Sequence, residues 1–143
     1  MCETLYPWRI ERTELIADSG GPGRFRGGLG LRRVYRALET QPSVLYIDQT
    51  NPAFAPHGLL GGHPGRASRV FLRVDGRARR VPTKTTLTIP AGGDVVVETA
   101  GGGGWGPPSE RDPDALAADV RDGVVTARGS KAKAGRRRGR KRA

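Results

Sequence analysis

Few side chains in this sequence are of the kind that perform chemistry. His57 and His63 stand six residues apart, Asp48 is the nearest acid, and Cys2 is the lone cysteine. A catalytic zinc or manganese site needs at least three protein ligands, usually from separate elements. Two histidines and one acid fall short of that. The His-Gly and His-Pro dipeptides favour turns, so both histidines read as loop residues. Neither has a plausible Ser or Cys partner for a nucleophile–base pair, and Cys2 lies in an N-terminus prone to fraying.

Two glycine clusters offer a different chemistry, anion binding through backbone N–H groups. Gly101–Gly106, GGGGWG, formally satisfies G-x-G-x-x-G and follows a predicted strand. A dinucleotide fingerprint must run directly into a helix whose N-terminus holds the pyrophosphate, whereas Pro107-Pro108 intervene here; the segment reads as a structural glycine turn. The second cluster, DSGGPGRFRGGLG from Asp18 to Gly30, combines glycines with Arg24 and Arg26, which could cradle an anion. The alternative is that its glycines permit close backbone approach and its arginines make surface or subunit contacts, and glycine clusters more often serve geometry. No catalytic, cofactor-binding or metal-binding residue is therefore assigned to this chain.

The elements that must position these groups are short. The 143 residues suffice for one modest domain plus a tail, and 22 Gly with 11 Pro imply many turns and few long helices. Strands are predicted over residues 8–16, from Leu29 to Leu38, over 43–48, 69–74 and 77–81, and over 83–89 and 94–99. Asp75-Gly76 is the dipeptide of a tight type I′ hairpin. Pro90-Ala91-Gly92-Gly93 is expected to join the last two strands as a second hairpin, and residues 49–68 form a long loop. One helix is predicted, with Asp112 as N-cap, Pro113 at its first position, Leu116 and Val120 on one face and Gly123 just past its end. The fold class is mainly β: an antiparallel sandwich or partly open barrel with one short C-terminal helix.

The net charge of +11 is uneven. Residues 128–143 carry nine basic and no acidic side chains, against 16 basic and 14 acidic in residues 1–127. The expected organisation is a domain over 1–127 and a disordered Lys/Arg-rich tail over 128–143, which has no large apolar residue to bury. That tail is the one segment suited to nucleic acid or an anionic surface, without sequence readout. A lone cysteine fits a reducing compartment, and neither a signal peptide nor a membrane span is expected, which places the chain in the cytoplasm.

Several stretches taken in order carry a family resemblance: YPWRIERTEL (Tyr6–Leu15), DSGGPGRFRGGLGL (Asp18–Leu31), HGLLGGHPG (His57–Gly65), PTKTTLTIPAGGDVVVETAGGGGWGPPSERDP and DALAADVRDG. Over residues 3–125 the chain resembles the last quarter of the B subunit of the hydantoinase B/oxoprolinase family, with RFRGGLGL and ETAGGGGWGPPSERDP as the most specific pieces. The resemblance implies an ATP-dependent system that opens cyclic amides such as hydantoins or 5-oxoproline, with carboxylase relatives acting on ketones. It implies as partners an A-like subunit that handles ATP and the N-terminal part of a B subunit that holds a divalent metal. ATP and metal would then belong to those parts, this chain binding no cofactor and being inactive alone. Met1 would be an internal start, and the basic tail is foreign to the family's pattern.

Overall fold

The computed structural model describes residues 2–38, 42–49 and 54–129. They fall into two compact units, each assembled from three stretches of sequence: Met1–Ile16, Gly30–Ala55 and Ala67–Ala100 in the first, Ala17–Leu29, Pro56–Arg66 and Gly101–Ala143 in the second.

The first unit holds a short helix α1 (Cys2–Leu5) and strands β1 (Trp8–Leu15), β2 (Leu31–Ala37), β3 (Ser43–Asp48), β4 (Arg69–Val74), β5 (Arg77–Val81), β6 (Lys84–Ile89) and β7 (Asp94–Glu98). They form two antiparallel sheets, one of five strands in the order β1-β2-β7-β4-β5 and one of two, β3-β6. Neither sheet closes on itself, and the two share one core as the layers of a sandwich do. Trp8, Ala37, Val70, Leu72, Val81 and Val95 of the larger sheet share one buried cluster with Ile47 and Ile89 of the smaller. The period-2 spacing of Val70 and Leu72 points both into that cluster.

The β4–β5 hairpin forms as expected. Asp75 (φ 49°) and Gly76 (φ 72°) both take the left-handed conformation that a type I′ turn requires. The second predicted hairpin does not form. Residues 90–93 do make a tight turn, with Gly93 N–H donating to Pro90 O at 3.0 Å. The strands on its two sides then part: β6 pairs with β3, while β7 lies between β2 and β4. The physical reason is burial. In β7, Asp94, Val95, Val96 and Glu98 are all buried, which demands a neighbour on each side, whereas the alternating Thr-rich β6 suits a two-stranded layer with one wet face.

The second unit contains a 3₁₀ turn (Pro108–Glu110) and helix α2 (Pro113–Arg121). Helix α2 has the predicted boundaries. The Asp112 carboxylate accepts from Asp114 N–H at 2.9 Å, Pro113 occupies the first turn, and Gly123 (φ 71°) follows the end. Residues 127–129 are helical, and the rest of the expected basic tail lies outside the described residues.

Candidate functional site

The rest of the second unit is built from three irregular glycine-rich segments, roughly residues 18–28, 57–66 and 101–106. Their backbones bond to one another: Gly21 N–H donates to Gly102 O (2.8 Å), Gly102 to Gly28 O (2.9 Å), Gly104 to His63 O (2.9 Å) and His63 to Pro22 O (2.7 Å). Arg66 donates to Ser19 O at 2.8 Å, and Gly101 in turn donates to Arg66 O at 2.9 Å. A Cβ on Gly27 would overlap the Gly102 carbonyl, one on Gly101 the Ser19 carbonyl, one on Gly103 the His57 carbonyl and one on Gly62 the Gly104 carbonyl. These glycines do not have positive φ, so it is the missing side chain that matters there. The interior of this bundle is main chain.

That geometry decides what the candidate residues can do. Gly101–Gly106 is not a turn; it is the segment that runs between the other two and bonds to both. The N–H groups of Gly101, Gly102, Gly104, Trp105 and Gly106 donate to carbonyls of Arg66, Gly28, His63, Phe25 and Leu59. A nucleotide phosphate needs such donors free, so this cluster does not fit one. Arg26 forms a bidentate pair with the Asp119 carboxylate (Nε 3.0 Å, Nη2 3.2 Å) and also donates to Gly27 O. The buried Arg111 guanidinium donates to the same Asp119 carboxylate. Arg24 lies 3.9 Å from Glu110 and over the Phe25 ring. For Arg26 the anion-cradle alternative therefore gives way to the structural one, through α2 of the same unit, while the Arg24 side chain stays about half exposed.

His57 and His63 are exposed at the bundle edge, and their carbonyls rather than their imidazoles serve the fold. Asp48 belongs to β3 in the other unit, where it accepts from the Tyr46 hydroxyl at 3.4 Å and lies 3.5 Å from Lys84 Nζ. Cys2 is the first residue of α1. Among the described residues no group of three or more His, Cys, Asp and Glu could hold a metal ion, and no helix is long and apolar enough to cross a membrane.

One arrangement in the first unit is absent from the sequence reading. The face of the five-stranded sheet opposite the buried cluster carries two rows of ion pairs. The Glu98 carboxylate, its side chain 5% exposed, accepts from Arg32 Nη2 at 2.7 Å, and Arg32 also reaches Glu14 at 2.8 Å. Asp94, likewise 5% exposed, accepts from Arg36 at 2.8 Å with Arg73 at 3.6 Å. Hydrogen bonds to Glu98 and then to Glu14 raise the pKa of Arg32 above the ordinary arginine value, against a partial desolvation that lowers it. The signal was present in the sequence: Arg32, Val34 and Arg36 in β2 and Asp94, Val96 and Glu98 in β7 have matching i, i+2, i+4 spacing and opposite charge. It becomes a ladder only once β2 and β7 are known to be neighbours.

A model of the family described as hydantoinase B/oxoprolinase matches residues 1–108. The chain belongs to the hydantoinase B/oxoprolinase family. Within and around the family, it is 36% identical over 124 residues to an uncharacterized protein of Methanocaldococcus jannaschii, covering 87% of this chain and 22% of that one. It is 34% identical to the caprolactamase subunit beta of Pseudomonas jessenii, covering 92% of this chain and 23% of the subunit. The crystal structure of the ATP-dependent caprolactamase from Pseudomonas jessenii superimposes with a TM-score of 0.79 at 31% identity, over 93% of this chain and 24% of that one. The chain thus spans less than a quarter of the length of these relatives, and the family's fold extends over both of its units.

Proposed function

We propose that this chain is a C-terminal assembly segment of a hydantoinase B/oxoprolinase-type, ATP-dependent hydrolase that opens cyclic amides such as hydantoins or 5-oxoproline. It packs with other parts of the enzyme and does not turn over substrate alone. The observation that carries this reading is the likeness to the ATP-dependent caprolactamase, whose name also denotes a cyclic amide substrate, over 93% of this chain but 24% of that one. The bidentate pairing of Arg26 with Asp119 of its own unit supports it, since that guanidinium is engaged within the fold. The partners under this reading are an A-like subunit that handles ATP and the N-terminal part of a B subunit that holds a divalent metal, all in the cytoplasm.

The test is an assay of the purified chain with ATP, magnesium or manganese, and hydantoin, 5-oxoproline or caprolactam. No amide hydrolysis and no substrate-dependent ATP hydrolysis are expected; turnover by the isolated chain overturns the reading. A second function, binding of nucleic acid or an anionic surface, is favoured by the nine basic residues of 128–143. Deleting those residues should abolish such binding and its salt dependence.

A further inference from the structure

We propose that β3 takes up, along its open edge, an antiparallel strand from another polypeptide, with apolar residues at alternate positions, which extends the smaller sheet of the sandwich. Five strands face only two. β3 has β6 on one side and, among the described residues, no strand on the other. The hydrogen-bond phase of that edge is fixed by its end. Gln49 N–H donates to Thr83 O at 2.8 Å, so in the β3–β6 register Ile47 with Thr85 and Leu45 with Leu87 are the hydrogen-bonded pairs. The N–H and C=O groups of Val44, Tyr46 and Asp48 therefore point away from β6, in a row along the open edge.

A groove of about 430 Å³ lies beside that edge. It is lined by β3 and by Tyr6, Trp8, Tyr35 and Val97, and by no residue of β6. The edge also lacks the devices that keep exposed strands from pairing. β3 has no Lys, no Pro and no register shift against β6, and Val44 and Tyr46 are 71% and 61% exposed.

These features select the occupant. A row of outward-pointing backbone donors and acceptors is matched by an extended strand, whereas a helix spends its own backbone groups internally. Every strand pair of this fold is antiparallel. In an added antiparallel strand, the residues that bond to Val44, Tyr46 and Asp48 turn their side chains outward. The residues between them turn theirs to the aromatic and apolar floor of Trp8, Tyr35 and Val97. A second copy of the chain does not fit. An antiparallel pair of two β3 strands keeps both inner faces on one side, so the partner's five-stranded sheet would fall where Tyr35 and Val97 already lie. Nor does the basic segment 128–143, whose only apolar side chains are alanines. The strand thus comes from another polypeptide, and the assembly role proposed above, on which only this source rests, makes it the N-terminal part of a B subunit.

The test uses the full chain and a fluorescently labelled, capped peptide, Ser-Thr-Ile-Thr-Val-Thr-Ser, which is uncharged and alternates as the groove requires. Saturable binding is expected. N-methylation of the three Thr amides, which face β3, should weaken it about tenfold or more, whereas N-methylation of the Ile and Val amides, which face away, should leave it within about twofold. Tyr46→Pro removes one edge donor at a position where β6 loses no bond, and should weaken binding of the unmodified peptide to a similar degree. The methylated pair needs no altered protein, so the comparison holds however the variant folds. Equal binding of the two methylated peptides, or no binding of the unmodified one, overturns the proposal. So does a concentration-dependent dimer of the chain that Tyr46→Pro dissolves, since a second copy then covers the edge. Hydrolysis by the isolated chain overturns the assembly role and leaves the edge and its peptide untouched, so the two readings fail separately.

Discussion

The two units of this protein make their interiors from opposite materials. In the β sandwich, Ile89, Val70 and Val95 are fully buried and side chains fill the space between layers. In the glycine bundle, carbonyl oxygens occupy the positions that side chains would take, and backbone hydrogen bonds link segments dozens of residues apart. The first is stabilised by apolar area removed from water, and a lost methylene costs transfer energy plus a cavity. The second buries main-chain polar groups, which is tolerable only because each bonds to another. A side-chain interior tolerates loss of atoms by degrees; a backbone interior has no room for a single added carbon.

Substitutions test this contrast directly. Gly27→Ala drives a methyl into the Gly102 carbonyl and should have the largest effect, a loss of about 4 kcal/mol or failure of the second unit to fold, read by chemical denaturation. Ile89→Ala removes a fully buried side chain from the sandwich, with an expected cost of about 3 kcal/mol by the same measurement. Asp119→Ala leaves Arg26 and the buried Arg111 without their shared carboxylate and should cost about 2 kcal/mol. Gly28→Ala is the control. A Cβ there meets nothing within 4 Å, so the change should stay within about 0.5 kcal/mol although it adjoins Gly27. Equal effects at Gly27 and Gly28 would remove the argument that close approach, rather than chain flexibility, explains these glycines.

What the sequence disclosed depended on range. Asp75-Gly76 and the Asp112-Pro113 start of α2 are local chemistry, and both elements formed where expected. Strand partners are not local. Alternation in Lys84–Ile89 tells which side chains share a face but not which strand lies beside them, so adjacency in sequence suggested a hairpin that the buried Asp94–Glu98 overrides. The same limit applied to the candidate site. That Gly101–Gly106 served geometry could be argued from Pro107-Pro108, but that it would run between segments near Gly21 and His63 could not. The family resemblance needed no pairing information, since it rests on residue types in order, and it held across residues 1–108.

The glycine bundle also separates two properties that usually travel together. Its three segments contain almost no regular helix or strand, so far-ultraviolet circular dichroism would count them as unordered. Yet the amides of Gly21, His63, Gly102 and Gly104 are all held by carbonyls 2.7–2.9 Å away. In deuterium exchange such amides should retain their protons far longer than solvent-exposed loop amides.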